Sequence, residues 1–337
     1  MVQPQARTTG DRAIDGIDLS LREDDTSFPA PYESAEAIAP ARLSDAAGEL
    51  TARRQRSLWG DAWRRLLRNK LAVIGLVVVT FFILMAALAP VLAPYGQNEV
   101  VDVRLVRQHP TWTWPFGLDA NGRDMFSRML YGARVSLVVG VLAQVVVLLI
   151  GVPIGALAGY YGGTVDNVLM RAVDVIYAIP QLLLVLLFVN WWGPGLTNIF
   201  LAIGLVGWVT EARLVRGQFL ALRESEYVTA ARSAGAGGIY IILKHILPNS
   251  LTPIIVALTF GIPSAIFTEA ALSFVGVGIR PPQASWGQMV GAGSQAGYVQ
   301  TDPHMLIFPV LAIGLTMLGF SFLGDGLRDA LDPRGSD

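Results

Sequence analysis

Two features hold the residues that could do chemistry. The stretch Glu226-Tyr-Val-Thr-Ala-Ala-Arg-Ser-Ala-Gly235 runs on to His245-Ile-Leu-Pro248-Asn249, and a single acid, Glu269, stands in an otherwise apolar run. Neither is a catalytic constellation. There is no Cys, so thiol catalysis, disulfides and Cys-ligated metals are excluded. The three histidines, His109, His245 and His304, are scattered with no HExxH pair, and no metal site is expected from them. No GxxxxGK[ST] loop is present to hold a nucleotide triphosphate. What remains is mechanical. Tyr227, Ala230, Ala231 and Ala234 recur at helical spacing, so they would share a face on which small side chains admit a close partner. Gly235 is placed to stop that helix in the left-handed conformation. A second helix would lead through Pro248 into a long apolar segment.

The elements that must position these residues are read from composition. Of 337 residues 53% are hydrophobic and 15% charged, against about 25% charged in an ordinary soluble domain. The first 70 residues carry 11 basic and 11 acidic side chains, so the rest is poorer still in charge. Such a chain cannot cover itself in water, and lipid must cover much of it. The net charge of −1 offers no general attraction to nucleic acid, which is not expected as a partner.

Residues 1–52, rich in Ala, Pro, Ser and Asp, read as a disordered or loosely ordered cytoplasmic tail. Residues 53–70 set Arg53, Arg54, Arg56, Arg64, Arg65, Arg68 and Lys70 among Leu58, Trp59, Trp63, Leu66 and Leu67. That pattern predicts a basic amphipathic helix at the membrane surface. Residues 71–337 form the membrane domain. A span needs about 20 apolar residues, and six segments are expected at about 71–91, 135–160, 168–189, 199–210, 251–278 and 305–323. The fourth is the weakest by hydropathy. Basic flanks put the N-terminus in the cytoplasm, six spans return the C-terminus there, and the 211–249 connection faces the same side. The loop 95–134 is then extracytoplasmic, although it carries five arginines. The fold class is all-α and polytopic.

Within the spans, Gly151, Gly155 and Gly159 form a flat ridge suited to helix packing. Glu269 would be expensive in lipid unless paired or wetted. It could meet a substrate ammonium in a pathway or bond neighbouring hydroxyls to fix packing, and the second reading is favoured. Arg171 and Asp174, one turn apart, suggest a local ion pair.

The 226–248 segment resembles the EAA loop of ABC-importer permeases. Glu226, Ala230, Ala231, Gly235, Ile246, Leu247 and Pro248 stand at matching positions, with Tyr227 in place of the first motif alanine. Three further blocks resemble the C-type permease of dipeptide and oligopeptide importers (the peptide/nickel family). They are Phe116-Gly-Leu-Asp-Ala-Asn-Gly-Arg-Asp124 with Tyr131-Gly-Ala-Arg-Val-Ser136, Ser285-Trp-Gly287 after Pro281-Pro282, and Gly324-Asp-Gly-Leu-Arg-Asp329. The resemblance covers about 58–334.

It implies a type I ABC importer permease fold in the bacterial inner membrane, forming half of a translocation pathway. The implied partners are a second homologous permease, two ABC ATPase subunits and an extracytoplasmic substrate-binding lipoprotein, with surrounding lipid. This chain would carry no cofactor and would not be an enzyme; ATP and Mg would be handled by the ATPases. Glu226, Tyr227, Ala230, Ala231, Arg232, Gly235, Leu247 and Pro248 would couple to the ATPase. Trp112, Trp114, Asp119, Arg123, Asp124 and Trp286 are candidates to face the binding protein. Among these, Asp119, Arg123 and Asp124 would fix their loop through charge-assisted hydrogen bonds. Peptides are the implied cargo; nickel, glutathione or another small solute stay open. An ion-coupled secondary transporter is the competing class, and it would predict inverted repeats and several intramembrane ionisable groups.

Overall fold

A computed structural model describes residues 58–280, 283–295 and 297–331. The tail expected over 1–52 and the start of the 53–70 helix lie outside the described residues, as do Pro281 and Pro282. Among the described residues the chain is helical, with two isolated antiparallel bridges, Val100 with Arg123 and Leu118 with Asp124, and no strand.

Helix α1 spans Leu58–Arg68 and α2 spans Lys70–Ala87. Asn69 separates them. Its extended backbone ends α1, and its Oδ1 accepts hydrogen bonds from the backbone N–H groups of Leu71 (3.0 Å) and Ala72 (3.3 Å), capping α2. Helix α1 lays Ala62 and Leu66 against the far end of the last helix and leaves Trp63 and Leu67 outward, as an interfacial helix would. Helix α2 buries one stripe, Ala72, Gly75, Val79, Phe82 and Ala86, while Leu71, Ile74, Val77, Phe81 and Leu84 remain exposed. Apolar side chains exposed in such numbers along an 18-residue helix are a lipid-facing surface.

Helix α3 runs for 37 residues, Met125–Tyr161. At 1.5 Å per residue it is about 55 Å long, far more than the ~30 Å hydrocarbon layer. It therefore begins ten residues before the expected second span, and the preceding loop ends at Asp124 rather than at residue 134. The reason is a cap invisible to hydropathy: Asp124 accepts hydrogen bonds from Ser127 N (2.8 Å) and Ser127 Oγ (2.7 Å).

The third expected span is not one helix. It divides into α4, Gly163–Tyr177, and α5, Gln181–Trp192, bent 82° apart. Pro180 supplies the cause. It has no N–H to give the helix, and it pushes Ile179 out of the helical region. The fourth span, expected to be the weakest, is instead a 27-residue helix, α6, Leu196–Leu222. Beyond the expected end at residue 210 it carries Glu211, which is buried, and Arg213 and Arg216, which pair with Asp174 and Asp166.

After the short helix α7, Glu226–Ser233, the chain forms a helical turn at Gly238–Ile241 and a π turn at Ile242–Ile246. It then enters α8, Leu247–Phe274. The π turn precedes Pro248, whose ring would clash with the carbonyl four residues back in a regular helix; the wider turn moves that carbonyl aside. Helix α9, Trp286–Gly293, and helix α10, His304–Leu331, complete the fold. Among the described residues five helices are long and apolar enough to cross a membrane, and the bent α4–α5 pair can supply a sixth span.

Glycines decide how closely these helices pack. A Cβ on Gly155 would lie 2.4 Å from the Ala212 carbonyl oxygen, and one on Gly159 would lie 2.5 Å from Phe219 Cβ. The Gly151, Gly155 and Gly159 ridge of α3 is thus pressed onto α6, the helix packing expected of it. Gly75 of α2 and Gly319 of α10 meet likewise: a Cβ on Gly75 would lie 2.6 Å from the Gly319 carbonyl oxygen.

Candidate functional site

Helix α7 is short, and its exposure pattern separates anchor from free surface. Val228 is fully buried and Ala231 half-buried, both packed with Phe219, Ile241, Ile246 and Leu247. Glu226, Tyr227, Ala230, Arg232, Ala234 and Gly235 are exposed, as is Pro248 beyond the π turn. The sequence grouping therefore needs one correction. Ala231 does not share the free face with Tyr227, Ala230 and Ala234; it lies on the seam that fastens the helix to the membrane domain.

The helix ends as its glycine requires. Gly235 has φ +83°, Gly235 N–H donates to the Arg232 carbonyl (3.0 Å), and Ala236 N–H donates to the Ala231 carbonyl (3.1 Å). This paired pattern satisfies the last carbonyls and turns the chain sharply back. Nothing lies within 4 Å of a Cβ placed on Gly235, so the glycine serves its backbone conformation and leaves open surface. Beside α7, the His245 ring lies 5.7 Å from that of Tyr240 and 6.5 Å from that of Tyr227. Because α7 is bound on one side to α6 and on the other runs into α8, a force on its free face is transmitted to two long helices.

Inside the helical domain, Glu269 is fully buried at the meeting of α3, α8 and α9. Its Oε1 accepts hydrogen bonds from Ser273 Oγ and Ser285 Oγ, each at 2.8 Å, and its Oε2 from Ser136 Oγ at 3.4 Å. Ser136 Oγ in turn accepts from Trp286 N–H (3.2 Å). Every polar group in this knot has a partner and the acid is enclosed by protein, which makes it tolerable. Gly287 is required here, since a Cβ on it would lie 2.5 Å from Ala270 Cα and 3.0 Å from both Glu269 oxygens.

Trp286 completes the knot and corrects an expectation. It is fully buried, donates from Nε1 to the Met129 carbonyl (3.1 Å), and packs edge-on against Phe82 with ring centroids 5.3 Å apart. It offers no surface to a second protein. The apolar surface of an indole is worth more inside a five-helix junction than in solvent.

The other outer candidates divide. Trp112 is fully exposed and Trp114 half-buried. Asp119 and Asp124 are buried and Arg123 is half-buried. Asp119 Oδ2 accepts from Arg123 Nε (2.8 Å) and lies 3.5 Å from Arg128 Nε, while Asp119 Oδ1 takes the N–H groups of Asn121 (2.8 Å) and Arg123 (3.0 Å). Arg128, also buried, donates to the Gln97 carbonyl (3.0 Å) and Gln288 Oε1 (2.8 Å). These charges hold the loop to α3 and α9.

Three acids, Asp174, Asp166 and Glu211, have surroundings that local spacing does not give. Asp174 pairs with Arg213 of α6 at 2.6 Å, not with Arg171, and Arg213 also lies 3.9 Å above the Tyr177 ring. Asp166 makes a two-pronged pair with Arg216, Nε–Oδ1 2.5 Å and Nη2–Oδ2 2.6 Å. Local spacing favoured an intrahelical partner; the packing of α4 across α6 supplied a better one. Glu211 was passed over because the expected fourth span stopped at Thr210. It is 7% exposed, its Oε1 has no protein partner, and it lines a cleft of about 310 Å³ with Gln144, Gln181, Thr210, Ser264 and Thr268. A carboxylate among amides and hydroxyls within the helical domain suits passage of a polar solute.

Comparison with known proteins agrees with this geometry. Residues 151–336 match the model of the binding-protein-dependent transport system inner membrane component, and residues 57–110 match the N-terminal transmembrane domain of oligopeptide transport permease C. The chain is 47% identical to the dipeptide transport system permease protein of Bacillus subtilis (strain 168) over 81% of its own length and 85% of that protein. It is 41% identical to a glutathione transport system permease protein of Pectobacterium atrosepticum over 83% of its length and 92% of that protein. An inward-facing methionine ABC transporter structure superposes with TM-score 0.50 at 20% identity, covering 60% of this chain and 94% of that one, a likeness of fold.

Proposed function

The chain belongs to the binding-protein-dependent transport system inner membrane component family, and on that premise we propose that it forms one half of the pathway of a peptide importer. It is a multi-pass membrane permease subunit of an ABC importer; the family is one of transport and not of enzymes, and its members work with ATPase and substrate-binding partners in general. The finer assembly is a second homologous permease, two ATPase chains that hold ATP and Mg, and an extracytoplasmic binding lipoprotein. Peptide cargo rests on the dipeptide permease relative and on the match of residues 57–110.

The observation that carries the mechanism is the split character of α7. Val228 and Ala231 anchor it, while Glu226, Tyr227, Ala230 and Arg232 are free to enter a groove on an ATPase. Closure of the ATPase pair pushes α7, and α6 and α8 carry the displacement to the cleft at Glu211. With α7 and the N-terminus on the cytoplasmic side, the 95–124 loop, with Trp112 at its exposed edge, faces the binding protein.

The test is to purify the chain gently through a tag and identify by mass spectrometry what accompanies it. A second permease and two ATPase chains are expected, with the ATPases lost from a Glu226→Lys, Gly235→Val double variant that stays in the membrane. Uptake of a labelled dipeptide should fall in step, with no matching loss of a labelled amino acid carried by other systems. Recovery of this chain alone from wild-type membranes would overturn the reading.

A further inference from the structure

Two of the three histidines, His109 and His304, look dispersed in sequence and meet in space. His109, in the loop before α3, lies beside Asp302 and His304 at the entrance to α10, with ring centroids of the two histidines 5.1 Å apart. Each of the three residues offers one donor atom, and these atoms lie within 4.8 Å of one another. His109 Nε2 is 3.6 Å from Asp302 Oδ1, close to the ~3.3 Å separation of two ligands held about 2.0–2.1 Å from a tetrahedral zinc ion.

We propose that His109, Asp302 and His304 bind a divalent transition-metal ion of the zinc class. Two further observations carry the assignment. His304 is 6% exposed and its Nδ1 has no hydrogen-bond partner, while its Nε2 lies 3.3 Å from the Leu118 carbonyl oxygen. A hydrogen bond from Nε2–H to that carbonyl puts the lone pair on Nδ1, the outer-sphere arrangement that orients a metal-binding imidazole. The carboxylate is prepared in the same way. Asp302 Oδ2 takes Thr301 Oγ1 (2.6 Å) and Arg107 Nη1 (3.4 Å), leaving Oδ1 toward His109. Arg107 lowers the affinity through its charge and also limits the carboxylate to one ligating oxygen. Two imidazoles and one carboxylate suit zinc, and they leave a fourth position for water. His109 is the exposed ligand, and Asp302 and His304 are the buried pair. A bound ion would clamp the 95–124 loop to the start of α10, whatever the cargo of the importer.

The test uses the full chain with its accompanying subunits, purified through a tag without histidine and stripped by chelation. Zinc is then added against a competing chromophoric chelator, and metal content is measured by elemental analysis. Wild-type protein should hold one zinc equivalent more than the His109→Ala, His304→Ala double variant. His109→Ala and Asp302→Asn should each weaken that equivalent at least tenfold, and His245→Ala should leave it unchanged. Because His304 is buried, the exposed His109→Ala variant carries the test if the double variant is unstable. Zinc should also raise the thermal midpoint of the wild type and not that of His109→Ala. Equal zinc content and equal affinity in wild type and His109→Ala would overturn the assignment.

Discussion

At the scale of single residues, the structure turns on polar groups whose partners come from distant parts of the chain. Glu269 is the sharpest case. The sequence allows it either a ligand or a packing role, and its three serine partners, from α3, α8 and the cap of α9, give it the second in this conformation. Replacing Glu269 by Ala strands three buried hydroxyls, at about 1–3 kcal/mol for each group left unsatisfied. Glu269→Gln keeps one acceptor oxygen and should be milder. Thermal unfolding in nanodiscs, followed by tryptophan fluorescence, should rank them wild type, Gln, Ala. Trp286 bonds into the same knot and will report its loosening. Glu211, by contrast, has an unpartnered oxygen and a cleft in front of it. Glu211→Ala should therefore leave stability nearly unchanged while lowering peptide uptake severalfold, a pairing of results opposite to that at Glu269.

At the scale of elements, the α3–α6 contact and the bent pair α4–α5 are the parts whose geometry sequence periodicity leaves open. The glycine ridge reads plainly as a packing surface, yet its partner does not: any neighbouring helix would satisfy the motif. The structure selects α6, and it fastens α4 across the same helix with Asp166–Arg216 and Asp174–Arg213. Gly155→Val would drive a side chain into the Ala212 carbonyl, where even a Cβ lies at 2.4 Å. Separation of the two helices should cost about 1–3 kcal/mol and reduce the yield of folded protein in mild detergent. For the ion pairs, Asp166→Arg alone should destabilise, and the exchange with Arg216→Asp should restore part of the loss. A double-mutant cycle on the thermal midpoint should give a coupling of about 1 kcal/mol, since both partners keep some contact with solvent. Pro180 accounts for the break in the third span but not for the 82° turn, which depends on where α5 finds its packing partners.

At the scale of the whole molecule, the orientation we propose, with α7 on the cytoplasmic side, rests on the basic flanks and carries the rest of the mechanism. The chain has no Cys, so single cysteines can be introduced without background. A cysteine at Ala230, on the free face of α7, should react with a membrane-impermeant maleimide only after cells are opened. One at Trp112, fully exposed in the 95–124 loop, should react in intact spheroplasts. The reverse pattern would invert the topology and move α7 away from any cytoplasmic ATPase.

The sequence by itself determined what depends on local composition and short-range spacing. Low charge and long apolar runs mark a membrane protein; an acid, small residues and a glycine at helical spacing mark α7; and Gly235 stops it because only a glycine takes φ +83° without strain. These are properties of neighbouring residues, and a linear reading suffices for them. The tertiary structure alone decided the long-range pairings. It buried Trp286 rather than presenting it, gave Asp174 the partner Arg213 in place of Arg171, brought Glu211 to a cleft, and set His109 beside His304. Each outcome depends on which helix faces which, and that is set by the summed fit of glycine ridges, buried charges and proline breaks across the bundle. No window along the chain contains that information, because the interacting groups are separated by whole spans.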